Sequence, residues 1–142
     1  MRVFVDASVL IAAMLSPAGG SSLVFGYIKA KKVIGITSQT VIDEVLEEDK
    51  QKKIKRSKIE TEQFVANSGL VVREEITTDE IAPYHSQVDT EDAHLIAGAL
   101  LTKCSHLLTL DKKHLLRNDI RKKFSPLKIV APKDILGELV RK

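Results

Sequence analysis

The sequence predicts an α/β fold with a mostly parallel central sheet, and three observations carry that prediction. Short apolar blocks rich in β-branched residues alternate along the chain with longer stretches of helical spacing. The blocks are near-continuous in apolar character, as expected of strands buried on both faces. A carboxylate stands where several of these blocks give way to a helix, beginning with Asp6 after Val3-Phe4-Val5.

Composition sets the outer bounds. A chain of 142 residues is expected to form one domain over 1–142, with a sizeable core. Hydrophobic residues at 44% and charged residues at 29% suit a soluble globular protein. Tryptophan is absent and aromatics are few, so the core must be aliphatic. The single cysteine, Cys104, excludes an intramolecular disulfide and a cysteine-pair metal site, and a reducing cytoplasm is the expected compartment. No apolar run approaches the ~20 residues that span a bilayer, so no membrane partner is expected. Asp6 interrupts the N-terminal apolar stretch that would otherwise resemble a signal peptide. The net charge of +3 is compatible with a polyanionic partner without identifying one.

Residues 3–5 form the first strand, and Val9, Leu10, Ala13 and Met14 then lie on one helical stripe, with Ser8 placed to cap it. Residues 16–22, rich in Gly, Ser and Pro, read as a loop, and 23–32 as a second helix with lysines near its end. Residues 33–37 form a second strand. Ser38 can cap a helix over 39–50, whose Val41, Ile42, Val45 and Leu46 share a face. The segment 50–58 is the most basic in the chain. A helix over 59–68 and a short strand over 70–72 follow, while 74–84 has no clear pattern and breaks at Pro83. Another helix starts around Asp89-Thr90-Glu91-Asp92 and continues through Leu101, with Ala93, Ala97 and Gly98 small enough for close packing. Residues 106–110 form a strand ended by Asp111, and 112–116 a short helix. Residues 128–130 form the last strand, and Pro132 suits the first turn of a terminal helix.

Asp6, Glu44, Asp92 and Asp111 all fall where a strand meets a helix or early in a core helix. Each alone reads equally well as a cap or a solvated charge. In a parallel sheet, however, the carboxyl ends of the strands share one edge, where ligands bind. Converging carboxylates repel unless a cation joins them. Oxygen ligands without clustered Cys or His favour Mg²⁺ or Mn²⁺ over zinc. An acidic metal pocket suits phosphodiester hydrolysis, with basic residues around it to hold a nucleic-acid backbone.

Four segments resemble the ordered motifs of the PIN domain family. Val3-Phe4-Val5-Asp6-Ala7-Ser8-Val9-Leu10 resembles the first motif, and Val41-Ile42-Asp43-Glu44-Val45-Leu46 the second. Asp89-Thr90-Glu91-Asp92-Ala93-His94-Leu95-Ile96-Ala97-Gly98-Ala99 resembles the third. Leu108-Thr109-Leu110-Asp111-Lys112-Lys113-His114-Leu115 resembles the fourth, departing from it at Leu110, where the family often has glycine or arginine. The resemblance implies a Rossmann-like α/β/α sandwich and a Mg²⁺- or Mn²⁺-dependent ribonuclease. It assigns Asp6, Glu44 and Asp92 as the central acidic ligands, with Asp111 completing the pocket. Ser8 and Thr109 match supporting polar positions. Asp89 is either a further lining acid or a helix cap, the cap being favoured.

The resemblance also implies RNA as substrate, an antitoxin protein as partner if the chain is the toxin of a toxin–antitoxin pair, and a homodimer. A housekeeping RNA-processing nuclease has the same chemistry, and a degenerate PIN fold that only binds RNA or protein is a further alternative. A phosphoryl-accepting receiver domain needs paired acids after the first strand, which Asp6-Ala7-Ser8 lacks. The 50–58 run is expected to be mainly a solvated face. His85, His94, His106 and His114 show no metal-ligand spacing, and Cys104 reads as a small buried hydrophobe.

Overall fold

A computed structural model describes residues 1–141. Five strands form one sheet in the order β3-β2-β1-β4-β5: β1 (Arg2–Val5), β2 (Ile34–Ser38), β3 (Val71–Arg73), β4 (His106–Leu108) and β5 (Lys128–Val130). Every pairing is parallel, with Phe4 opposite both Ile36 and Leu107. The chain builds outward from β1 through β2 to β3, then returns to the other side of β1 for β4 and β5. The reversal lies between β1 and β4. The carboxyl edge at such a switch point is the standard ligand crevice of open parallel sheets.

The helices follow from this order. Helices α1 (Ala7–Leu15), α2 (Gly20–Lys29), α3 (Gln39–Val45), α4 (Glu48–Ile54) and α5 (Lys58–Asn67) connect the outward-going strands. Helix α6 (Thr78–Ile81), two 3₁₀ turns at Ala82–Tyr84 and Thr90–Asp92, and α7 (Ala93–Leu101) carry the chain back to β4. Helix α8 (Asn118–Lys123) precedes β5, and α9 (Pro132–Val140) follows it. Right-handed crossovers in opposite directions put the two sets of helices on opposite faces of the sheet, giving an α/β/α sandwich. The Phe25–Phe64 pair joins α2 to α5 on one face, and the Tyr84–Phe124 pair joins the returning connection to the end of α8 on the other.

The aliphatic core predicted from composition is present. Val3, Phe4 and Val5 are fully buried, and α7 is buried from Ala93 through Ala99. Gly98 is required there, because a Cβ would stand 2.6 Å from the Phe4 ring. Cys104 is buried, its sulfur 3.2 Å from the Thr102 hydroxyl. Among the described residues no single helix is long and apolar enough to cross a membrane.

Several expected boundaries move. The helix expected over 39–50 breaks after Leu46, where its apolar stripe ends, and α4 restarts with Glu48 and Asp49 in its first turn and Lys52 and Lys53 in its last. That charge order follows the helix dipole. Helix α2 begins at Gly20 rather than 23. The patternless stretch 74–84 holds α6, capped by a reciprocal Thr77–Glu80 box. Residues 112–116 form a turn rather than a helix, with the Leu115 and Leu116 amides both donating to the Asp111 carbonyl. The helix in this region is α8, whose short polar sequence offers little apolar periodicity.

Candidate active site

Asp6 leaves β1 at the switch point and is only 4% exposed. It caps α1 itself, its Oδ1 accepting from the Val9 amide at 3.1 Å. Ser8 is therefore not the cap. Its hydroxyl donates to Asp6 Oδ1 at 2.6 Å and accepts from the Leu110 amide at 3.1 Å. The Thr109 hydroxyl donates to Asp6 Oδ2 and accepts from the Asp111 amide at 3.1 Å. Two hydroxyls thus stitch the end of β1 to the turn after β4. From the other side, the Thr37 hydroxyl on β2 donates to the Val5 carbonyl at 2.8 Å. Capping and site-lining are the same act for Asp6, because its carboxylate has two oxygens and the helix end occupies only one.

Asp111 is held by its own turn. Its Oδ1 accepts from the Lys113 and His114 amides at 3.1 and 2.9 Å. Its Oδ2 lies 3.2 Å from His114 Nδ1. Asp92 ends the second 3₁₀ turn at the start of α7, which brings it to the same edge. Asp89 caps that turn, its side chain accepting from the Glu91 amide at 3.0 Å. It also stands 3.9 Å from His114 Nε2. The ligating atoms of Asp92, Asp111 and His114 all lie within 4.8 Å of one another.

Glu44, on α3, is placed differently. It lines an open cleft of about 560 Å³ with Thr40, Asp43, Lys50, Asp92 and His94. Its Oε1 lies 3.6 Å from His94 Nε2, and the buried His94 Nδ1 has no hydrogen-bond partner among the described residues. Glu44 and Asp6 both stand outside the tight group of three. The acids are nevertheless electrostatically joined. Burial pushes the Asp6 carboxyl up to about 6 against the pull of its hydrogen bonds, and Glu44 adds to the rise. Burial also raises Asp92 to about 6, with Asp111, Asp89 and Asp6 repelling its charge and His114 favouring it.

The family model for the PIN domain matches residues 2–113. This chain belongs to the PIN domain family. Among solved structures that share its fold is PAE2754 from Pyrobaculum aerophilum, 17% identical, with a TM-score of 0.62 over 100% of this chain and 97% of that one. VapBC2 from Rickettsia felis, solved bound to a DNA fragment from its promoter, is 14% identical, with a TM-score of 0.59 over 92% of this chain and 98% of that one. VapC20 from Mycobacterium tuberculosis, a sarcin–ricin loop cleaving toxin, is 14% identical, with a TM-score of 0.56 over 78% of this chain and 91% of that one. At these identities the likeness is one of fold. No curated protein matches the sequence.

PIN domains are in general nucleases whose acidic residues can bind metal, and the donor set here fits a divalent cation. Two carboxylates with protonation driven up by burial and repulsion gain from a positive partner. Carboxylate oxygens with one imidazole are ordinary ligands of a divalent cation. His114 is the residue that sequence reasoning missed in this PIN domain. The signal was local: Asp111 and His114 are three apart, which brings their side chains together in a tight turn.

The basic run is mostly a solvated face, as expected: Lys52, Lys53, Lys55 and Lys58 are exposed. Arg56 donates to the Met14 carbonyl at 3.1 Å and so satisfies the end of α1. Lys52 pairs with Glu48 at 3.6 Å in the exposed i,i+4 arrangement. Of the run, Lys50 lines the Glu44 cleft.

Proposed function

We propose that this PIN domain is a metal-dependent endoribonuclease that hydrolyses RNA phosphodiester bonds. The observation that carries the reading is the meeting of Asp92, Asp111 and His114 beside buried Asp6 at the switch point of the sheet. Asp92, Asp111 and His114 would hold Mg²⁺ or Mn²⁺, with Asp6 and Glu44 completing the acidic wall. A bound cation supplies Lewis-acid stabilisation of the phosphate oxygens and lowers the pKa of water. Ser8 and Thr109 hold the Asp6 carboxylate in one orientation, which keeps both its oxygens from rotating as charge moves in the pocket. His114 orients Asp111, its Nδ1 lying 3.2 Å from Asp111 Oδ2. Lys50 gives the mouth of the cleft a positive group for the RNA backbone.

The VapC20 and VapBC2 likenesses support the toxin of a toxin–antitoxin pair as the biological setting, with an antitoxin protein as partner. The proposed place of action is the cytoplasm. A homodimer is part of the same reading. A housekeeping RNA-processing enzyme shares the chemistry. A neighbouring short reading frame encoding a DNA-binding antitoxin distinguishes the two.

The test is cleavage of RNA by the purified chain with Mn²⁺ or Mg²⁺, beside Asp6→Asn prepared identically. Cleavage by the wild type alone, abolished by EDTA, is expected. Equal cleavage by both proteins would sink the site assignment.

A further inference from the structure

Helix α7 is buried from Ala93 through Ala99, and His94 is the one polar side chain in that run. It is only 8% exposed, and its ring Nδ1 is buried with no hydrogen-bond partner among the described residues. A nitrogen left in that state costs stability, and leucine would serve the packing and the helix better. Residues kept against a local stability rule are commonest at functional positions. The other ring nitrogen shows what His94 is kept for. Its Nε2 lies 3.6 Å from Glu44 Oε1, in the cleft that both residues line with Asp92.

Glu44 is short of neighbours that could hold it. It is the penultimate residue of α3, and His94 is the one basic side chain paired with it among the described residues. Lys50, in the same cleft, pairs with Asp49 at 3.4 Å instead. The two environments of the neutral His94 ring decide which nitrogen carries the proton. With the proton on Nδ1, a buried N–H has no acceptor and the Nε2 lone pair faces a carboxylate. With the proton on Nε2, the N–H faces Glu44 and only a lone pair is left unpaired. The second tautomer avoids both penalties of the first. The ring is then a donor aimed at Glu44, a small side-chain movement short of hydrogen-bond distance.

We propose that His94 is a positioning residue, whose Nε2–H donates to Glu44 and holds that carboxylate toward Asp92. His94 and Asp92 flank Ala93 at the start of α7, so one helix start carries both an acid of the pocket and the group that fixes the acid arriving on α3. The catalytic consequence rests on the ribonuclease reading; the contact itself does not.

The contact is tested on the whole ¹⁵N-labelled chain in EDTA at neutral pH, by long-range ¹H–¹⁵N NMR of the imidazoles. His94 is expected to carry its proton on Nε2, and its ring signals to move in Glu44→Gln. A proton on Nδ1, or ring signals indifferent to Glu44→Gln, overturns the contact. The consequence is tested by RNA cleavage with Mn²⁺. His94→Leu is expected to lower kcat about tenfold with KM little changed, as loss of a partner behind a metal-site acid does. Its melting temperature is expected to match or exceed that of the wild type, since the orphaned nitrogen is gone; a lower one makes the role structural and overturns the proposal. His94→Gln, whose amide donates from about the same place, is expected to recover most of the lost kcat. In the Glu44→Gln background, His94→Leu is expected to add no further loss, because the two residues act as one unit. Losses that multiply overturn positioning through Glu44. Absence of metal-dependent cleavage by the wild type, with the ring signals as expected, overturns the nuclease reading and leaves the contact standing.

Discussion

The two walls of the acidic pocket are built in opposite ways. On the β1–β4 wall, Asp6 is buried and accepts from Ser8, Val9 and Thr109, while Asp111 accepts from two amides of its own turn. On the α3–α7 wall, Glu44 is half-exposed in an open cleft with Asp43, Lys50 and Asp92, and lies 3.6 Å from His94, whose other ring nitrogen has no partner among the described residues. The first wall is fixed by the sheet and its hydrogen bonds before any ligand arrives. The second has fewer hydrogen bonds holding its acids in place. Under the proposed nuclease reading, the rigid wall would set the geometry of the site and the looser one would face the substrate.

The largest expected effect tests whether both walls serve one reaction. Asp6→Asn and Asp92→Asn should each lower cleavage by more than about a hundredfold, since each removes a charge from the metal environment. Both should still fold, because asparagine keeps the size and an acceptor oxygen. Single-turnover assays with Mn²⁺ measure the loss. Full activity in Asp92→Asn would confine the site to the first wall.

A stability comparison separates the walls directly. Thr109→Val leaves Asp6 Oδ2 buried without its donor and should cost about 1–3 kcal/mol in denaturant unfolding. Glu44→Gln removes no comparable bond and should stay within about 0.5 kcal/mol of wild type. Equal losses would show that the second wall is as fixed as the first.

The same contrast explains what the sequence revealed. The order of strands and helices was legible because each block is a short aliphatic run and each core helix keeps a 3.6-residue stripe. The nearness of Asp6, Asp92 and Asp111 was legible because a parallel sheet sends its strand ends to one edge, whereas the separate placement of Glu44 beside His94 was not. Ser8 was misread as a cap because serine is a good one; the closer carboxylate of Asp6 took the helix end, and that competition is settled by backbone angles rather than residue type. The turn over 112–116 and helix α8 were missed because a few polar residues carry no periodicity. His114 needed the geometry of that turn.

pH gives a smaller and more diffuse effect. Asp6 and Asp92 both titrate at about 6 in the folded chain, against an ordinary value of 3.8. A carboxyl that holds its proton more tightly when folded contributes stability that is full below about 3.8 and is lost as pH rises through about 6. Burial holds His106 below its ordinary 6.5, so its contribution runs the other way and is lost as pH falls through its folded value. In EDTA, the wild type should therefore lose more melting temperature between pH 5 and 7 than the Asp6→Asn/Asp92→Asn double variant, in which the His106 contribution is unchanged. Mn²⁺ at pH 7 should restore the wild type alone. Identical pH profiles for the two proteins would remove the case for a strained, cation-seeking acid pair.

The smallest effect concerns where the open wall ends. Lys50 shares the cleft with Glu44 and pairs with Asp49 at 3.4 Å, whereas Lys52, two residues on, points away from the cleft, exposed and paired with Glu48. Exposed i,i+4 pairs contribute about 0.3–0.5 kcal/mol, so Lys52→Gln should barely alter stability and should leave KM for RNA unchanged. Lys50→Gln should raise KM with kcat unchanged and flatten its dependence on salt, since it removes a backbone contact present equally before and during the reaction. Parallel losses at both lysines would make the whole basic run an RNA-binding face and extend the adjustable wall along α4. A loss at Lys50 alone would fix its boundary at the first turn of that helix.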